Sequence, residues 1–342
     1  MTTVLTSVPT TTPRPVPWRR LGWVAWRRHR STLLALVSLM TVLAVLLLAR
    51  GHQMREAYAT VQACTPQASA RCGFTFRQFR ETYTNTGALA ALFVWIPAVT
   101  GAFAGAPMVA RELESGTFRF AWTQGAGRTR WMLALTAVGA LGVASLAFAF
   151  GLLVSWYQQP LVSTAIEQRL HPSVFPVTGV AVVGWAMTAF ALGVFLGLLT
   201  RRVLPAVALT LAAWTGLAFL ASALRDHYAT PLLTSAIQLD DAAVTVDQWW
   251  TKGNARVTYA EIDQVLQAAG VQPIDGGTIA ATPGIHAVDP VQYLIEHGYL
   301  QMTTFQPDSR YWPFQWIELS WLTILSLVLL GTSVWLLRRR SA

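Results

Sequence analysis

Six long apolar blocks, none with an acid, a base or a histidine in its interior, leave this chain few ways to fold. They run from Ser31 to Ala49, Thr86 to Ala110, Trp131 to Ser155, Phe175 to Thr200, Val203 to Leu224 and Ile317 to Leu337. A hydrocarbon core about 30 Å thick is crossed by roughly 20 helical residues. Lipid offers no partner to an unpaired N–H or C=O, so each block reads as a transmembrane helix. The expected fold class is an all-α polytopic membrane protein with six transmembrane helices. A composition of 54% hydrophobic against 12% charged residues fits that class and argues against a soluble domain.

The formal charge of +9 is a total, and its distribution says more. With the N-terminus in the cytoplasm, the inside pieces hold 15 arginines, from Arg14 to Arg340, against Glu112 and Glu114 alone. The outside pieces hold the other 10 cations and 14 acids. The positive-inside rule therefore places both termini in the cytoplasm of a multi-pass plasma-membrane protein. The basic excess reads as orientation and contact with anionic lipid, and nucleic-acid binding is not expected.

Residues 1–16, rich in Thr, Pro and Val without periodicity, read as a disordered cytoplasmic tail. The first block runs too long for a signal h-region and is expected to stay as an anchor. Residues 17–30 read as a short interfacial helix, with Trp18, Leu21, Gly22, Ala25 and Trp26 on one arc and Arg19, Arg20, Arg27 and Arg30 opposite. Trp23 and Arg28 break the pattern, and the alternative is a set of topogenic arginines and belt tryptophans. Cys64 and Cys72 fall in the first outside loop, where a disulfide is the expectation and two free thiols the alternative. No His or third Cys lies close enough to suggest a metal.

The second block carries Gly101-x-x-x-Gly105 beside Pro97, and the fourth carries Gly193-x-x-x-Gly197. Such spacing lets helices approach backbone to backbone, within the chain or between chains. Residues 225–316 form an outside segment long enough for a small folded unit. Within it Thr258 is placed to cap a helix over Tyr259 to Ala269 ending at Gly270, and Asp289 with Pro290 to open another through Glu296. Trp249, Trp250, Tyr311, Trp312 and Trp316 are available to pack it.

An internal source of work is hard to find. Ion-driven transporters usually carry ionisable groups inside their spans, and these blocks do not. The sole lysine is Lys252 in the outside segment, and no Gly-x-x-x-x-Gly-Lys-[Ser/Thr] occurs. His-Glu-x-x-His and Gly-x-Ser-x-Gly are absent too, so no catalytic residues and no enzyme activity are expected. Asp226, Asp240, Asp241 and Asp247 match neither a calcium loop nor a carboxylate pair, and they read, like His286 and His297, as a solvated face.

What remains is the charged link over 111–130. It runs Arg111-Glu112-Leu113-Glu114-Ser115-Gly116-Thr117, continues through Phe118 and Trp122, and returns at Arg128-Thr129-Arg130-Trp131. The chain breaks at Gly116 and restarts as a short helix capped by Thr117, with Phe118, Ala121 and Trp122 on one face. Phe118, Phe120 and Trp122 also alternate as a strand would.

This link resembles that of permease subunits of ABC-2 type transporters, where an Arg-Glu-x-Glu-x-Gly-Thr-like stretch leads through a coupling helix to a basic re-entry. Thr123-Gln124-Gly125 departs from the Thr-Pro often found there. Tyr311-Trp312-Pro313-Phe314-Gln315-Trp316-Ile317-Glu318, an apolar span and Arg338-Arg339-Arg340 are similar to actinobacterial members of that group. The resemblance implies a dimeric channel, with an identical or different second permease, seated on cytoplasmic ABC ATPase subunits. Arg111, Glu112, Glu114, Gly116, Thr117, Phe118, Trp122, Arg128 and Arg130 would form the coupling contact. ATP and magnesium would bind the partner ATPase, and this chain would hold no cofactor. The expectation is a permease exporting an amphipathic or hydrophobic compound, suggested by apolar walls. The rivals are a membrane sensor reading a ligand through residues 225–316, and a scaffold that transports nothing.

Overall fold

The computed structural model describes residues 17–65, 69–84, 92–115, 128–235, 242–253, 255–269 and 290–339. The expected tail over 1–16 therefore lies outside the described residues. Contacts divide the chain into two units, one within Met1–Leu161, Pro172–Ala221 and Gln315–Ala342, the other within Val162–His171 and Ser222–Phe314.

The first unit begins with α1, Trp18–Gln62, whose 45 residues form one uninterrupted helix. At 1.5 Å per residue it is about 68 Å long, more than twice the thickness of a hydrocarbon core. The interfacial helix expected over 17–30 is thus the opening turns of α1 and not a separate element. Neither glycine nor proline occurs between Trp23 and Arg50, so nothing interrupts the backbone ladder where the basic pattern gives way to the apolar one. Helix α2, Ala70–Thr84, follows. A disulfide joins Cys64 to Cys72 with a Cα–Cα distance of 5.6 Å. Phe79 of α2 is buried against Tyr58 and Tyr83, with ring centres 6.2 and 5.0 Å apart.

Four helices carry the rest of this unit's backbone toward its last span: α3, Trp95–Ser115; α4, Arg128–Ser163; α5, Ala181–Thr200; and α6, Val203–Arg225. Their core gathers Leu36 of α1, Met108 of α3, Met132 and Leu135 of α4, and Phe190 and Val194 of α5. Between α5 and α6 the chain turns on Arg201, which takes a left-handed φ of 55° and donates its N–H to Gly197 O at 3.1 Å. Glycine would adopt that conformation with less strain, whereas arginine keeps the turn basic.

Among the described residues five helices are long and apolar enough to cross a membrane: Arg30–Gln62, Thr129–Ser163, Ala181–Thr200, Val203–Arg225 and Asp308–Arg339. The second expected block, from Thr86 to Ala110, is not among them. Part of it, residues 86–91, lies outside the described residues. Its described helix, α3, is built from glycine and alanine rather than leucine, and its C-terminal end runs into Arg111, Glu112 and Glu114. Neighbouring helices, more than lipid, cover it: Ala98, Gly101, Ala102, Gly105, Ala106 and Ala110 are all buried.

The second unit departs from the all-α expectation. It contains a four-stranded antiparallel sheet of order β1-β4-β2-β3. The strands are β1, Leu232–Thr234; β2, Val244–Lys252; β3, Ala255–Val257; and β4, Tyr299–Gln306. A bulge between Thr245 and Asp247 shifts the β2–β4 register. Helices α7, Tyr259–Ala268, and α8, Pro290–Glu296, supply Ile262, Leu266 and Leu294 to a core shared with Trp250, Val257 and Tyr299 of the sheet. Thr258 caps α7 through Oγ1, accepting from Glu261 N at 3.3 Å. Its expected stop at Gly270, and Asp289 before α8, lie outside the described residues. The last helix, α9, is Tyr311–Arg339.

Candidate functional site

The charged link leaves the membrane helices at the end of α3. Arg111 and Glu114 are exposed there, while Glu112 is only 3% exposed, its side chain turned into the helix packing. Ser115 Oγ donates to Arg111 O at 2.8 Å and closes the last turn. The Glu114 carboxylate reaches α6, where Oε2 accepts the backbone N–H of Val203 at 3.3 Å. Val203 opens α6, so Glu114 satisfies an orphan donor and sets a negative charge at the positive end of the helix dipole.

Gly116, Thr117, Phe118 and Trp122 lie outside the described residues. Arg128 opens α4, and its side chain is outside the described set. Arg130, half-buried, holds its guanidinium over the Trp18 ring with Cζ 4.8 Å from the centroid. The link is thus fastened at both ends, to α6 through Glu114 and to α1 through Arg130.

Behind Glu112 and Glu114, α3 and α5 approach each other closely. A Cβ built on Gly101 would stand 2.5 Å from Ala186 O and from Ala189 Cβ. On Gly105 it would run into the Phe190 carbonyl, on Gly193 it would stand 2.7 Å from Ala106 N, and on Gly197 2.8 Å from Ala106 O. The two Gly-x-x-x-Gly spacings therefore face each other inside one chain. Residue numbers rise together along α3 and α5, so the two helices run parallel. The absence of side chains lets their backbones touch over three turns, which fuses the outgoing helix of the link to α5.

Sequence reasoning missed the polar residues that join α5 to α9. Gln315 and Glu318 are fully enclosed. Gln315 Oε1 accepts from the N–H groups of Val180 and Ala181 at 3.0 and 2.7 Å, and its Nε2 donates to Phe175 O at 3.0 Å. Val180, the N-cap of α5, has no capping side chain of its own, so α9 supplies the cap. One turn on, Glu318 Oε1 accepts from Trp185 Nε1 at 2.6 Å, while Trp214 Nε1 of α6 donates to Trp185 O at 3.1 Å. Thr188 Oγ1 and Ser326 Oγ continue the line at 3.1 Å.

Glu318 is the second residue of the sixth expected block and belongs, by sequence, to its outside edge. Helix α9 in fact starts at Tyr311, with Pro313 accommodated in its first turn, which carries Glu318 about two turns into the helix. The signal was available in the spacing of Gln315 and Glu318, three residues apart and hence on one helical face. An ionisable side chain enclosed in such a helix marks a position the protein has reason to keep.

A family model described as ABC-2 membrane transporter related matches residues 37–225. The match takes in both glycine-bearing helices and the whole charged link, and stops before the sheet and α9. No curated protein and no solved structure matches the chain.

Proposed function

Because the chain belongs to the ABC-2 membrane transporter related family, we propose that it is the membrane-spanning permease of an ATP-driven exporter, worked by a separate cytoplasmic ABC ATPase that binds the ATP and magnesium. The observation that carries this reading is the fastening of the charged link to a rigid helix pair. A force applied to residues 111–130 acts on α3, and the glycine contact passes it to α5 without slack. Closure of the ATPases on nucleotide would then move α3 and α5 together and shift the population between inward-open and outward-open states.

In this reading α3 is the second of six spans, and its parallel course along α5 supports that, since second and fourth spans cross in the same direction. Both termini then lie in the cytoplasm of a plasma-membrane protein, and a second permease, identical or different, completes the channel. Arg111 and Glu114 meet the ATPase directly, with Phe118 and Trp122 filling an apolar notch on it. Buried Glu112 acts by fixing the angle at which α3 ends. The cargo is an amphipathic or hydrophobic compound, matched to the apolar helix walls.

Affinity-tagged chain drawn from native membranes is expected to bring down a P-loop ATPase. Arg111→Glu and Glu114→Arg should each lower its yield about tenfold, the effect of reversing one charge in a close interface pair, with membrane insertion unchanged. Full ATPase recovery with both variants overturns the coupling assignment. The sensor reading draws on the separate core of the second unit, and capture of a kinase in place of the ATPase would favour it.

A further inference from the structure

Pro160 stands in the last turn of α4, which ends at Ser163. Having no N–H, it leaves the carbonyl of Trp156, four residues back, without the helical donor that any other residue would supply. Arg55 of α1 makes good the loss: Nη2 donates to Trp156 O at 2.5 Å and Nη1 to Gln159 Oε1 at 3.1 Å. Its guanidinium also lies over the Trp156 ring, with Cζ 4.3 Å from the centroid, and His52 meets the same ring at 5.6 Å in an edge contact. Gly51 makes room, since a Cβ there would run into that ring. One turn of α1, from Gly51 to Arg55, is thus shaped around the weak point of α4.

The clasp is closed without being saturated. No acid occurs between Arg128 and Ser163, so α4 offers Arg55 neutral oxygens and a ring but no carboxylate. On α1 the nearest charged neighbours are Arg50 and Glu56, both exposed. Nε of Arg55 is buried and has no acceptor, and an enclosed donor left unpaired offsets part of what the other two bonds gain. A proline inside a helix is also where helices bend. The chain leaves the first unit after Leu161, so Pro160 stands at that unit's edge, and hinges are commonly residues at the ends of elements.

We propose that Pro160 is a hinge at the end of α4 and that Arg55 is the latch that holds it closed. In the closed state Arg55 takes the place of the missing amide at Trp156 O and residues 161–163 stay in the helix. In the open state Arg55 withdraws and the last turn bends about Pro160. Both groups lie past Ala49 and Ser155, where the apolar blocks of the two helices end, so the released guanidinium and the freed carbonyl each find water. Arg55 is a positioning residue, acting on the helix through Trp156. The inference rests on the membrane reading of α1 and α4 and is independent of the ATPase partner.

Electron paramagnetic resonance distances in the full chain, reconstituted in phosphatidylcholine nanodiscs, test it. Nitroxides go on Ala59→Cys of α1 and Ser163→Cys of α4, both exposed, and the native cysteines do not compete because they are joined in the disulfide. The parent should show one dominant spacing, and Arg55→Met should raise a second spacing at least about fivefold in population. Adding Pro160→Ala to Arg55→Met restores the helical N–H to Trp156 O and should return the second spacing to the parent level. A packing role for Arg55 would not be rescued in this way, because alanine at that position replaces the hydrogen bond and none of the contacts with the ring. Should Arg55→Met fail to fold, Pro160→Ala alone decides, since hydrogen exchange at the amides of residues 161–163 should slow about tenfold in it. A second spacing that persists in the double variant, its absence from Arg55→Met, or unchanged exchange in Pro160→Ala overturns the proposal. Recovery of ATPase is scored apart, so failure here leaves the permease reading standing.

Discussion

Gly105→Leu is expected to force α3 away from α5 and to abolish recovery of folded protein from the membrane. The leucine Cβ would occupy the place of the Phe190 carbonyl, and a backbone group in the middle of a helix cannot rotate aside as a side chain can. Relief has to come from separating the two helices, and that forfeits dispersion contacts along the whole seam. Overpacking a well-filled interior commonly costs about 1 to 3 kcal/mol, and a clash with the backbone of the facing helix belongs at or above the top of that range. Gly197→Leu, opposed by Ala106 O, should behave alike. Gly216→Ala and Gly331→Ala supply the contrast, since a Cβ at either position meets nothing within 4 Å. These should leave stability unchanged or raise it by up to about 1 kcal/mol, because alanine favours helix over glycine. Fluorescence-detected size-exclusion after heating of detergent extracts reads all four variants. Equal stability of Gly105→Leu and Gly216→Ala would remove the seam from the account.

The second large effect is expected at Gln315→Leu. Two N–H groups at the start of α5, that of Ala181 buried and that of Val180 partly so, lose their acceptor, and Phe175 O loses one donor while keeping Thr178 Oγ1. A single buried unsatisfied group costs about 1 to 3 kcal/mol, so the two stranded N–H groups together should cost about 2 kcal/mol or more. Glu318→Gln keeps an acceptor for Trp185 Nε1 and should stay within about 1 kcal/mol of the parent. Thermal unfolding followed by tryptophan fluorescence separates the two, with Trp185 itself among the reporters. If Gln315→Leu unfolds no earlier than Glu318→Gln, the cap from α9 does not hold α5 in place.

These two variants also mark where sequence reasoning reached its limit. Burial in lipid demands long apolar runs, so the spans carried by α4, α5 and α6 could be read to within a few residues at most ends. The glycine spacings announced close approach but not the partner, because a small residue looks the same whether it faces another chain or its own. Gln315 was still less legible. Its partners lie 135 and 140 residues away, and no local pattern encodes a cap delivered across that distance.

The sheet of the second unit was missed for a different reason. Val244, Thr245, Trp249, Trp250 and Thr251 favour strands, but Asp247 and Gln248 break the alternation, and a bulge at that point absorbs the irregularity. The helix caps at Thr258 and Pro290 stood out more clearly, since capping depends on residues three or four apart. In the charged link, Glu114 reads by sequence as a contact for another protein, yet its carboxylate also accepts the first N–H of α6 in this chain. The two roles are compatible for an exposed carboxylate with a second oxygen.

The central claim is that work enters through residues 111–130 from a separate ATPase. Its most direct test is a photo-crosslinking amino acid placed at Phe118 and at Trp122, irradiated in native membranes, with Tyr259 of the second unit as the comparison position. Crosslinks from Phe118 and Trp122 to a P-loop ATPase, diminished or enhanced by ATP and absent from Tyr259, are the expected result. Irradiation that yields no ATPase adduct at either position, or the same adduct from Tyr259, would contradict the account.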